Sequence, residues 1–359
     1  MNAAPPARPA TIITVQYLRG IAASLVVLYH AMSTLGPGPG WIGDFGVDLF
    51  FVISGCIMWA TTERGRSPLA FWAARILRIV PLYWVFTTLY IMVALLQPET
   101  VFNATLDALF IVKSYLFVPA SHPSLGAIVP VYSLGWTLNY EMFFYLLFGV
   151  CLFIPQRLPR LTIAVGILAL LASLGAMGFP LGPAATFYTR PILLDFAAGI
   201  LLAALAPRLY TMAPARGWAM LAAALIWLVV ANVMTQSLDR MISVGVPAVV
   251  TVAGALILEP LAHRRPNRLA LLVGDASYSI YLAHPFAQRA WYVAASAVLG
   301  SSAQAHPVLL VISMMTIGLC GGVAAYFAIE HPILAAARRW RGARVKSEPS
   351  LSRQSFDKA

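Results

Sequence analysis

Arg75 and Arg78, in the stretch RILRIV, stand three residues apart. On a helix that spacing puts two guanidinium forks on one side, a pair suited to bidentate contact with phosphate. A longer spacing lies in YLRGIAASLVVLYH, where Arg19 and His30 are eleven residues apart in an otherwise apolar run. Eleven helical residues rise about 16 Å through close to three whole turns, so the two side chains point the same way at different depths. Glu141 sits in YSLGWTLNYEMFFY on one stripe with Thr137 and Tyr145, and Asp48 and Asp44 share a face of the next apolar run. Tyr278, Tyr281 and His284 run along one face of GDASYSIYLAH, just before Pro285, which kinks a helix or opens its hydrogen bonding there. Ionisable groups at membrane depth are costly, so they face a protein interior or a wet cavity and mark function.

Plainer roles exist for several of these residues. Arg75 and Arg78 also fit a simple excess of inner positive charge. Arg19 is close enough to the start of its span to snorkel. Asp44 fits a helix cap, and Asp48 gains from a helix N-terminus. Tyr278 and Tyr281 fit packing with a satisfied hydroxyl, and His284 fits a structural histidine beside a proline kink. His30 and Glu141 have no such easy alternative.

The elements that position these groups are membrane helices. The chain is 60% hydrophobic and 10% charged, with mean hydropathy +0.80. Apolar runs of spanning length recur at about 12–34, 42–62, 77–97, 132–154, 161–179, 188–206, 217–235, 241–258, 274–298 and 306–329. The expected fold is an all-α integral membrane protein of about ten spans. Its parts are a tail over 1–11, a membrane domain over 12–332 and a basic tail over 333–359. Arg19 interrupts the first run, and many spans follow it, so that run does not read as a cleavable signal. Cys56, Cys151 and Cys320 all fall in apolar spans, which suggests neither a disulfide framework nor a metal site.

The net charge of +11 is distributed by side rather than by patch. Arg64, Arg66, Arg75 and Arg78, then Arg157 and Arg160, Arg208 and Arg216, and Arg264, Arg265 and Arg268 recur between alternate spans. This pattern places both termini in the cytoplasm. It requires that 105–119, with Asp107 and Lys113, does not span, so that segment is expected to be a partly buried outer helix. The tail from Arg338 suits anionic membrane lipid, and no nucleic-acid role is expected. On this map His30, Asp44, Asp48, Glu141 and Asp195 converge on the outer half, and Arg75 and Arg78 lie at the inner start of the third span.

In order along the chain, these motifs resemble the membrane acyltransferase 3 family of sugar and polysaccharide O-acyltransferases, over about Tyr17–Pro332. YLRGIAASLVVLYH resembles its first-helix motif, GVDLFFVISG its second, RILRIVPLYW its R-x-x-R element, WTLNYEMFFY its W-x-L-x-x-E element and SYSIYLAHP its C-terminal signature. Gln16 stands where the family commonly has Asp. The sequence carries no fused hydrolase-like domain, which resembles the stand-alone form of exopolysaccharide acetylases. The resemblance implies a cytoplasmic acyl-CoA donor, most simply acetyl-CoA, held by Arg75, Arg78 and Arg19. It also implies a carbohydrate or lipid-linked glycan acceptor at or beyond the outer face of a bacterial inner membrane. Transfer to a hydroxyl needs a base, for which His30 is the candidate, with an acyl-imidazole as the variant. Glu141 or Asp48 is expected to orient His30, and Trp136 is a candidate oxyanion donor. Tyr281 and His284 are further candidates. A secondary transporter or flippase for a sugar or lipid-linked glycan fits the same composition, though no paired interrupted helices favour it.

Overall fold

The computed structural model describes residues 11–62, 67–97, 106–178, 182–235, 238–300, 305–337 and 339. Arg64, Arg66, the tail over 1–10 and the basic segment from 340 onward lie outside these. The described residues form helices, turns and irregular segments, with one isolated antiparallel bridge between Ser121 and Ile128. Five helices join spanning length to apolar composition: Gly40–Thr62, Pro68–Leu96, Arg157–Ala176, Pro214–Val233 and Pro307–Ala337. The protein is an integral membrane protein.

Helix α1 (Ile13–Ser33) has spanning length but is diluted by Gln16, Arg19 and His30. Its first turn is fixed from far along the chain. Glu259 accepts the amides of Ile13 at 2.7 Å and Thr14 at 2.8 Å, and the Thr14 hydroxyl at 2.6 Å. A carboxylate there satisfies orphan donors and complements the helix dipole.

Helix α2 (Gly40–Thr62) is the centre of the bundle: 67% of its apolar window is buried, against 17% for the rim helix α6 (Arg157–Ala176). It packs between α1 and α8 (Leu193–Leu209). A Cβ on Gly199 would sit 2.0 Å from the Val52 carbonyl oxygen, so α2 and α8 touch backbone to backbone. Small residues at such crossings are how membrane helices gain packing without a hydrophobic driving force. The outer surface is correspondingly apolar, with Leu96, Leu170, Leu225 and Ile226 exposed.

Helix α3 (Pro68–Leu96) starts well before the apolar run that marks it, because Ser67 caps it, accepting from the Ala70 amide at 3.2 Å, and Pro68 opens its first turn. Arg75 and Arg78 are therefore two to three turns inside the helix, not at its start. Helix α4 (Ala108–Tyr115) has eight residues, about 12 Å, too short to cross. Next come α5 (Gly135–Cys151), α6, the short α7 (Pro183–Phe187), α8 and α9 (Pro214–Val230). A π-helical turn, Met241–Gly245, leads into α10 (Val246–Ile257), followed by α11 (Glu259–Ala262). The run expected as one span over 274–298 is divided: α12 (Arg268–Asp275) ends, and α13 (Ser277–Leu299) begins beyond Ala276. The break follows α12 onto α1, where a Cβ on Gly274 would meet the Gln16 carbonyl oxygen at 2.2 Å. Helix α14 (Pro307–Ala325) ends in a π-helical turn, Tyr326–Glu330.

Candidate active site

A cavity of about 840 Å³, counting the space at its mouth, opens between α1, α2, α3, α5 and α13. Arg19, Arg75 and Arg78 line it together with Glu141, Ser54, Tyr145 and Tyr281. Its remaining wall is largely apolar, including Phe50, Ile53 and Leu138. The lining is that of a ligand pocket, mostly apolar with few, placed polar groups.

Each cation is held in a different way. Arg78 Nη1 lies 2.5 Å from Glu330, whose other oxygen accepts from Ser279 at 2.5 Å. Arg78 also stacks over the Tyr278 ring at 5.9 Å. Arg75 lies over Phe71 at 5.5 Å and Tyr145 at 5.8 Å, so planar packing sets its guanidinium. Arg19 donates to Gln16 at 2.8 Å, and Gln16 donates to Asp275 at 2.7 Å. The amide at Gln16 thus links the arginine to a carboxylate supplied by α12.

The stripe Thr137, Glu141 and Tyr145 faces this cavity. Glu141 accepts from Ser54 at 2.8 Å. Tyr281 hydrogen-bonds Thr137 at 2.9 Å and donates to the Leu134 carbonyl at 3.0 Å, while its ring stands edge-on to Phe50 with centroids 6.1 Å apart. Behind that ring lies His284, with centroids 6.4 Å apart.

His284 is paired with His30: Nε2 of His284 lies 3.3 Å from Nδ1 of His30. Nδ1 of His284 faces the Ile280 carbonyl at 2.9 Å, and Nδ1 of His30 faces the Val26 carbonyl at 2.8 Å. A carbonyl only accepts, so in the neutral rings both Nδ1 atoms carry the proton. Nε2 of His284 then shares the His30 Nδ1–H with the Val26 carbonyl, as the longer arm, and Nε2 of His30 is left with its lone pair. Among the described residues these are the hydrogen-bond partners of the His30 ring. The orienting carboxylate expected there is absent, because Glu141 is turned to Ser54 in the cavity and Asp48 is drawn elsewhere.

Asp48 accepts from Arg240 at 2.5 Å, and Arg240 also pairs with Asp44 at 2.8 Å. Asp48 lines a second cavity with Trp136, Tyr140, Arg190, Asp195 and Arg240. Trp136 lines this second cavity, whereas Glu141 lines the first. The polar groups expected to converge on one level separate into three sets: the arginine cavity, the histidine pair and the Arg240 cluster. Glu330 falls just outside the last apolar run, 306–329, so hydropathy alone leaves it out of the candidate residues. A lone carboxylate closing an apolar run was the available signal.

Residues 12–327 match the acyltransferase domain of the acyltransferase 3 family. The chain belongs to that family. The exopolysaccharide production protein ExoZ of Rhizobium meliloti (strain 1021) is 39% identical over 323 residues, which are 89% of this chain and 97% of that protein. The acyltransferase MdmB of Streptomyces mycarofaciens is 25% identical over 340 residues, 86% of this chain and 85% of MdmB. The peptidoglycan O-acetyltransferase OatA of Listeria monocytogenes is 28% identical over 172 residues, 42% of this chain and 27% of OatA. No solved structure matches. Family membership sets the transporter reading aside.

Proposed function

We propose that the protein transfers an acyl group, most simply acetyl, from acyl-CoA to a hydroxyl of a cell-surface carbohydrate. The observation that carries this reading is the gathering of Arg19, Arg75 and Arg78 in one cavity that runs to Tyr281, directly in front of the histidine pair. The phosphates of CoA would pair with the guanidinium groups, and the pantetheine arm would lie along the apolar wall. The thioester would thus be carried toward His30, across the rise that separates it from Arg19. That Arg75 and Arg78 are inside, and His30 toward the outside, rests on the distribution of Lys and Arg between spans. A bacterial inner membrane suits that arrangement.

In the transfer step, Nε2 of His30 accepts the acceptor hydroxyl proton as the oxygen bonds to the thioester carbonyl carbon. The carbon–sulfur bond then breaks, and the CoA thiolate leaves and takes up a proton. His284 is a positioning residue here: accepting from Nδ1–H of His30, it stabilises the imidazolium that forms. ExoZ is by name an exopolysaccharide production protein and OatA a peptidoglycan O-acetyltransferase, which favours a glycan acceptor.

Thermal stabilisation of the detergent-purified full chain tests the donor. Acetyl-CoA is expected to raise the midpoint with the logarithm of its excess over the dissociation constant. No shift at millimolar acetyl-CoA would remove acyl-CoA as the donor.

A further inference from the structure

The second cavity, of about 920 Å³ with its mouth included, has no part in the donor path. Its rim carries the exposed Arg190, and its interior holds Asp48 and Asp195, exposed by 1% and 0%. Both carboxylate oxygens of Asp195 lack a hydrogen-bond partner among the described residues. A buried carboxylate left so is costly, and such a group persists where something else satisfies it. Trp136 and Tyr140 supply aromatic faces at the same place, held edge to face with centroids 5.9 Å apart. No group of three His, Cys, Asp or Glu among the described residues is placed to hold a metal ion. Aromatic faces, carboxylates that accept and guanidinium groups that donate together match a polyhydroxylated ring, whose C–H face is apolar and whose hydroxyls both donate and accept.

The first turns of α2 stand between this cavity and His30. On one face, a Cβ on Gly43 would strike the Tyr29 ring and one on Gly46 would meet the Ala22 carbonyl, so that face lies against α1. On the other face Asp44 and Asp48 bind Arg240. One helix width, about 10 Å, therefore separates the cavity from the base. We propose that the cavity is a recognition subsite for a sugar unit of the glycan acceptor other than the unit acylated at His30. The nature of the ligand rests on the acyl-transfer reading above; its place rests on Asp195, Trp136 and the cavity.

The test uses the full chain in detergent, with oligosaccharides released from the de-O-acylated extracellular polysaccharide of the producing cells as probe. Direct binding is measured by calorimetry, beside the acetyl-CoA Michaelis constant and the thermal midpoint. Asp195→Asn and Trp136→Ala are each expected to weaken oligosaccharide binding about tenfold or more, with the acetyl-CoA constant unchanged. Trp136→Phe is expected to keep most of the affinity. The midpoint of Asp195→Asn is expected to stay level or rise, since the carboxyl it replaces has no hydrogen-bond partner to lose among the described residues, whereas a structural aspartate would show a clear fall. Absence of binding by the wild type, or full affinity in both variants, overturns the subsite. Weakened binding in the variants without any acetyl transfer by the wild type supports the subsite and sinks only the acyl-CoA reading.

Discussion

Nε2 of His284 lies 3.3 Å from Nδ1 of His30, and each ring gives its Nδ1 proton to the carbonyl four residues earlier in its own helix. Both tautomers are thus set by backbone, and the lone pair of His30 Nε2 is left for chemistry. His30→Ala is expected to abolish transfer while acetyl-CoA binding and the thermal midpoint stay near wild type. His284→Ala should lower kcat roughly a hundredfold, the scale of a supporting group in proton transfer, with the donor Michaelis constant little changed. Equal activity in His284→Ala would reduce that histidine to packing. Single-turnover acyl transfer checks both variants.

Arg78 and Glu330 form an ion pair in which Glu330 is buried and Arg78 partly exposed. Arg78→Ala leaves that carboxylate uncompensated, at a cost of about 3–5 kcal/mol. Lower stability and weaker donor binding should appear together in the single variant. Arg78→Ala combined with Glu330→Gln should recover much of the midpoint but not the affinity for acetyl-CoA. Recovery of affinity in the double variant would show that Arg78 acts through stability alone.

Glu141 faces the guanidinium cavity, hydrogen-bonded to Ser54, and does not reach His30. Its removal should therefore be felt in donor binding. Glu141→Gln is expected to raise the acetyl-CoA Michaelis constant several-fold more than it lowers kcat. Steady-state kinetics over a wide donor range separates the two. A pure loss of kcat would return Glu141 to the role of a carboxylate acting on the base.

How much of this was legible in the sequence depends on whether a pairing is local. Arg75 with Arg78, and Thr137 with Glu141 and Tyr145, share faces by spacing within one helix, and the structure gathers both sets at one cavity. Asp48 is claimed by Arg240, 192 residues away, and no local spacing announces that partner. The His30–His284 pairing joins helices 254 residues apart in the chain for the same reason. Helix starts were misread where polar caps lie outside the apolar run, as Ser67 and Pro68 do ahead of α3. The division of 274–298 at Ala276 comes from α12 packing on α1, which hydropathy does not register.

Glu259 holds the first turn of α1 through two backbone amides and one hydroxyl. Glu259→Ala should cost about 1–2 kcal/mol, as a lost helix cap does, and lower the midpoint without altering either Michaelis constant. A thermal unfolding series with kinetics on the same samples checks it. An unchanged midpoint would show that α1 is held by packing alone.

The proposed acyl path runs from the arginine cavity to a base near the opposite face of the membrane. Sealed, right-side-out vesicles shown to be tight to CoA test it in one measurement. Labelled acetyl-CoA is placed either inside or outside, and the external oligosaccharide acceptor is collected. Donor trapped inside is expected to label the acceptor, and donor supplied only outside is expected to leave it unlabelled. Efficient labelling by external donor alone would contradict the sidedness of Arg75 and Arg78, and with it the path to His30.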